Sequence, residues 1–135
     1  HLMNSAISPK GIDETLILRS VDQLSTLTGY EGNDFHKEIR LASSKFTKVK
    51  AVNLTRIMCE NQYDYLSLDV EGSEIDIIKS TDWDVIKKPR FLTIEYNFNP
   101  DARVLIAEFL SKYGYREHFA SHDWLRKGDL WFSLQ

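Results

Sequence analysis

One cysteine, Cys59, in 135 residues excludes an intrachain disulfide and any zinc site built on several thiolates. Cys59 itself reads as a small buried hydrophobe on a helix. A basic excess is also missing, since 17 Lys and Arg stand against 20 Asp and Glu for a net charge of -3. With a pI near 5.8, this argues against a nucleic-acid partner, whose binding domains carry a basic stripe. The nearest approach to one, Lys45, Lys48 and Lys50 with Lys87, Lys88 and Arg90, reads as solvated loop charge. No apolar run approaches the roughly 20 residues of a membrane span, and no signal peptide is visible, so the sequence predicts no membrane partner and a cytoplasmic location. There is no Gly-x-Gly-x-x-Gly turn, phosphate-binding loop, His-Glu-x-x-His pair or Gly-x-Ser-x-Gly elbow, each of which would have pointed to a particular chemistry.

What is present suits one domain with a core: 42% hydrophobic and 27% charged residues are ordinary proportions. His1-Leu2-Met3 reads as an expression-tag remnant, leaving residues 4–135 as a single α/β domain. Thr15 to Arg19 and Lys48 to Val52 read as strands, and Asn53 caps a helix over Leu54 to Asn61. Between them, Ser20 to Lys45 lacks periodicity and reads as a long loop, either functional or disordered. Phe91 to Asn97 is another strand. Asn99 and Pro100 then open a helix whose apolar face is Ala102, Leu105, Ile106, Phe109, Leu110 and Tyr113, ended by Gly114. Tyr115 to Phe119 and Leu130 to Leu134 complete the chain as an antiparallel pair. This order predicts an α/β fold, mainly parallel, with an antiparallel edge hairpin.

The chain turns on Asp64 to Lys79. Tyr65, Leu66, Leu68 and Val70 form a short apolar run, and from Ser73 the period changes to that of a helix at Ile75, Ile77 and Ile78. The strand exit carries Asp69, Glu71 and Glu74, whose mutual repulsion costs stability unless a ligand or hydrogen-bond donors compensate. Neighbouring strands lie roughly 4.8 Å apart, so Asp69 and Glu95 would share one sheet edge, with Glu71 and Asn97 just beyond. That favours acid/base or oxygen-ligand chemistry. The competing reading is that Glu71 and Glu74 only favour a helix N-terminus while Asp69 caps the turn. His118, His122 and Asp123 lie close in sequence; with Asp69 or Glu95 they could form a hydrolase or metal centre, and ordinary loop histidines are the favoured reading.

Tyr65-Leu66-Ser67-Leu68-Asp69-Val70-Glu71-Gly72-Ser73-Glu74, with Ile77-Ile78-Lys79 following, resembles the Asp-Val-Glu-Gly-Ala-Glu signature of the FkbM-type methyltransferases, which depend on S-adenosylmethionine and mostly act on oxygen. Ala51-Val52-Asn53-Leu54, Thr93-Ile94-Glu95 and Tyr113-Gly114-Tyr115 resemble further segments of that family in the same order. The resemblance covers roughly residues 48 to 134, and loosely 6 to 18. It implies a partial Rossmann-like sheet, with Asp69 and Glu95 catalytic and Asp69, Glu71 and Gly72 against the S-adenosylmethionine cofactor. It further implies Glu71, Asn97 and His122 on the side of a small-molecule or glycan hydroxyl acceptor, and no metal. The family's glycine-rich cofactor turn has no counterpart here, so the chain resembles the carboxyl half of such an enzyme, truncated or reduced. The strand ending at Asp69 would then have an open edge, which predicts a homo-oligomer or a severed partner segment. Two other readings stand beside this one: a non-catalytic binding or assembly module, and a metal-dependent hydrolase using the carboxylates.

Overall fold

The strand Asp129–Leu134 alternates between buried and outward positions, whereas the strand Phe91–Glu95 buries Leu92, Thr93 and Ile94 in succession. In the computed structural model, which describes residues 3–32, 36–97, 99–120 and 128–135, two four-stranded sheets form. The first contains β1 (Ala6–Ile7), β2 (Glu14–Arg19), β3 (Thr26–Leu27) and β4 (Phe46–Val52) in the order β1-β4-β2-β3. The second contains β5 (Tyr65–Leu68), β6 (Phe91–Glu95), β7 (Tyr115–Ala120) and β8 (Asp129–Leu134) in the order β5-β6-β8-β7. Among the described residues four α-helices accompany them: α1 (Lys37–Ala42), α2 (Leu54–Glu60), α3 (Glu74–Ser80) and α4 (Pro100–Ser111).

A mainly parallel, Rossmann-like sheet is not what forms. Each sheet has one parallel pair, β1 with β4 and β5 with β6. The remaining pairings, β2 with β3 and β4 and β8 with β6 and β7, are antiparallel. A parallel neighbour requires a long crossover, and only β5-α3-β6 closes such a unit between strands joined by a single helix. β4-α2-β5 looks like a second unit in sequence, but its two strands enter different sheets. In β6-α4-β7 the last strand, β8, inserts between the other two and reverses the direction. Hydrophobic period reports which face of a strand is buried, not which strand lies beside it.

The main core lies under the second sheet. Leu68, Leu92, Ile94, Leu130 and Phe132 meet Ile77 and Ile78 of α3 and Ile106 and Leu110 of α4. Each such side chain contributes about 1.5–3 kcal/mol on full burial. Trp83 lies among them, its indole Nε1 donating to the Ile78 carbonyl at 2.7 Å, and packs edge-on against Tyr115. Both expected caps are present: Asn53 Oδ1 accepts from the Thr55 amide, and Asn99 Oδ1 from the amides of Asp101 and Ala102. The apolar face of α4 is narrower than its sequence implies, since Leu105 is exposed. Cys59 is exposed too, on the outer side of α2.

Residues 20–45 are not a featureless loop. They hold a short 3-10 turn (Asp22–Leu24), β3 and α1, and they bury Thr26, Leu27 and Arg40. The turn between β1 and β2 packs on the end of α3 through Gly11, whose φ is +68° and where a Cβ would come within 2.7 Å of the Ser80 carbonyl oxygen.

Candidate functional site

The β5–α3 turn is held in a backbone conformation that L side chains rarely adopt, with φ of 59° at Glu71 and 110° at Gly72. Three contacts compensate for that cost. Thr26 Oγ1 donates to the Glu71 carbonyl at 2.6 Å. Arg40, fully buried, reaches the Glu71 carboxylate through Nη2 at 2.5 Å, while its Nε donates to the Leu24 carbonyl at 2.7 Å. Glu74 folds back over the turn and accepts from the amides of Val70 at 2.9 Å and Gly72 at 3.1 Å. Burial pushes the Glu74 carboxyl up, its amide donors pull it down and Asp69 pushes it up again, leaving it raised overall.

Glu71 and Glu74 are therefore turned into the structure of the turn. Asp69 and Glu95 are placed differently. The β5–β6 register pairs Leu68 with Ile94, so the next residue of each strand, Asp69 and Glu95, stands at the same sheet end. One carboxylate oxygen from each of Asp69, Glu74 and Glu95 lies within 4.8 Å of the others. Asn97 Nδ2 donates to Glu95 Oε2 at 3.1 Å. Burial first, then the charges of Asp69, Glu74 and Glu71, push the Glu95 carboxyl up to about 8, and it shares a hydrogen bond with Asp69. Such a pair can hold one proton between its members near neutral pH, and its oxygens have the chemistry to hold a hard cation.

The structure thus brings Asp69, Glu95 and Asn97 together, with Gly72 beside them. It directs the Glu71 carboxylate toward Arg40, and His122 lies outside the described residues. Three residues of the site were not singled out in the sequence. Arg40 and Thr26 come from the segment without periodicity. Asp129 pairs across the strands with Glu95, and burial and then the Asp69 charge raise its carboxyl; its place at the start of the last strand was the available signal. The turn contributes to two clefts. One, of about 310 Å³, is bounded by Gly72, Glu74, Glu95 and Asn97. The other, of about 440 Å³, is bounded by Asp69, Glu71, Ser73 and Asp22.

The family model of the methyltransferase FkbM domain matches residues 3–117. The chain belongs to the FkbM methyltransferase family. The matched range includes residues 20–45, the segment that supplies Thr26 and Arg40. No curated protein and no solved structure matches the chain. Among the described residues no helix is long and apolar enough to cross a membrane.

Proposed function

We propose that this FkbM domain serves S-adenosylmethionine-dependent methyl transfer to a hydroxyl of a small molecule or glycan, with Asp69 and Glu95 as the proton-accepting pair. The observation that carries the reading is Glu95, a carboxyl pushed up to about 8 beside Asp69 at the end of adjacent parallel strands. A base whose pKa lies near the working pH is suited to removing a hydroxyl proton. The four acidic residues around the turn fit the positive charge of the donor, which when bound supplies an activated methyl group. The Asp69–Glu95 pair would accept the acceptor hydroxyl's proton as its oxygen takes the methyl group and the donor leaves as the neutral thioether. Positioning contributes most of such a step. Asn97 would hold Glu95 in place, and Gly72 would allow close approach of a ligand to the backbone.

Isothermal titration with S-adenosylmethionine tests this directly, with micromolar binding expected. Loss of transfer in Asp69→Asn and Glu95→Gln, each still folded, is the matching kinetic result; unchanged transfer in both would sink the assignment. A second reading, a non-catalytic binding module, is favoured by one specific observation: Glu71 and Glu74 are engaged in holding the turn. Absence of S-adenosylmethionine binding would decide for it. A large thermal shift with a divalent cation alone would instead favour a metal-dependent hydrolase.

The outer edge of β5 has no strand beside it among the described residues, which supports pairing with a second copy or another segment there. Light scattering that found a strict monomer would count against a homo-oligomer.

A further inference from the structure

The Glu71–Gly72 peptide stands between the two clefts at the turn, with Gly72 on the wall of one and Glu71 on the wall of the other. A trans peptide is flat, and its carbonyl and N–H point in opposite directions. Both ends of this one are held. The Glu71 carbonyl oxygen accepts from Thr26 Oγ1 at 2.6 Å, and the Gly72 N–H donates to the Glu74 carboxylate at 3.1 Å. That carboxylate has an oxygen within 4.8 Å of those of Asp69 and Glu95. The N–H therefore faces the acids, and the carbonyl faces away from them.

Gly72, at a φ of 110°, has no Cβ to favour one orientation of the peptide over the other, so contacts must set it. A reversed peptide would point an oxygen at the carboxylates and withdraw one of the donors that fix Glu74. Arg40 holds the Glu71 side chain, which can turn about its own bonds while the peptide reverses. A donor on the carbonyl itself does not permit that. Thr26 is 1% exposed and belongs to β3, where it pairs with Arg19 of β2, so its hydroxyl is brought to the turn by the other sheet.

We propose that Thr26 is a positioning residue of the Asp69–Glu95 site: its hydroxyl fixes the Glu71–Gly72 peptide so that an amide, not a carbonyl, faces the acids. Thr26 touches neither reactant and acts through the peptide. Its consequence for methyl transfer rests on the function proposed above, whereas its hold on the peptide does not.

Thr26→Val keeps the shape of the side chain without the hydroxyl, and Thr26→Ser keeps the hydroxyl. In the isotope-labelled chain without ligand, NMR of Thr26→Val should show the Gly72 amide resonance moved and its hydrogen exchange faster by about tenfold or more. Thr26→Ser should stay within about threefold of the unaltered chain. The Ile77 and Thr81 amides, which donate to the Ser73 and Ile77 carbonyls along α3, should keep their rates in both variants. Calorimetric titration with S-adenosylmethionine should then show binding about fivefold weaker in Thr26→Val and restored in Thr26→Ser. An unchanged Gly72 amide in Thr26→Val, an equal loss in Thr26→Ser, or an Ile77 rate rising in step with that of Gly72 would each overturn the proposal, the last by reducing Thr26 to a contributor to stability. So would an S-adenosylmethionine affinity that is the same in the unaltered chain and both variants. If the unaltered chain binds no S-adenosylmethionine, the methyl-transfer reading fails, and the Gly72 amide still decides the role of Thr26.

Discussion

Replacing Arg40 by Met should unlatch the β5–α3 turn. The Arg40 side chain is fully buried, and its guanidinium joins two places far apart in the chain, the Leu24 carbonyl at 2.7 Å and the Glu71 carboxylate at 2.5 Å. Methionine keeps much of the apolar stem but leaves both acceptors without this donor. Removing one member of a buried ion pair costs about 3–5 kcal/mol. Glu71 keeps 23% of its side-chain surface exposed, so water relieves part of that, and about 3 kcal/mol is expected for Arg40→Met. Glu71→Gln, which retains a hydrogen-bond acceptor, should cost about 1–2 kcal/mol. In the double variant the stranded charge is gone, so the combined loss should fall short of the sum by about 1–2 kcal/mol. Urea unfolding of the four proteins, followed by tryptophan fluorescence through the buried Trp83, measures the cycle. Additivity to within about 0.5 kcal/mol would show that Arg40 and Glu71 are not energetically joined, and the clamp would have to be abandoned.

Three further outcomes follow from the same geometry. The Glu95 carboxyl, ordinarily near 4.5 and pushed up to about 8, binds its proton more tightly in the folded state, so its contribution is complete below pH 4.5 and is lost as pH rises toward 8. Glu95→Gln should flatten that fall, by about 1–2 kcal/mol after allowing for water at a half-exposed site, and an unaltered slope in pH-dependent denaturation would contradict the assigned burial and charge. Asp69→Asn removes the largest charge acting on Glu95, so the Glu95 midpoint, followed by carboxyl carbon NMR, should move down; no movement would mean the two groups do not face one another. Gly11→Ala should lower stability by about 2 kcal/mol, a fall in melting temperature of roughly 8 °C, because the residue needs positive φ and its Cβ would strike the Ser80 carbonyl; a neutral result would show that the β1–β2 turn does not pack on the end of α3.

Much of the local structure was legible because it depends on neighbours in sequence. The Asn53 and Asn99 caps, the parallel β5–β6 pair and the antiparallel final strands all rest on short-range patterns. Asp69 and Glu95 could be placed at one sheet end for the same reason. Arg40 shows where such reading stops. Its neighbours Ile39 and Leu41 are apolar yet 54% and 51% exposed, while Arg40 is fully buried, the reverse of what hydrophobic patterning implies. The burial of Arg40 is decided by an acceptor 31 residues further along the chain, and no periodicity encodes that distance. The two-sheet topology escaped for a related cause, since β4 and β5 are equally good strands whichever sheet they join.

The crowding of carboxylates at the turn has a division of labour that explains why so many can coexist. Left to themselves, Asp69, Glu71, Glu74 and Glu95 would repel one another at the sheet end. Two of them are instead supplied with donors: the guanidinium of Arg40 for Glu71, and the amides of Val70 and Gly72 for Glu74. These donors also define the turn, because each acts across it. What they leave is a rigid frame in which Asp69 and Glu95 face each other with Asn97 as the side-chain donor to Glu95, and so only one proton is comfortably shared between them. The Glu95 carboxyl is raised by its burial first and then by the charge of Asp69, with Glu74 and Glu71 adding to it from their fixed positions in the turn. A substitution that released Glu71 or Glu74 from its donors would change the proton affinity of Glu95 without touching it.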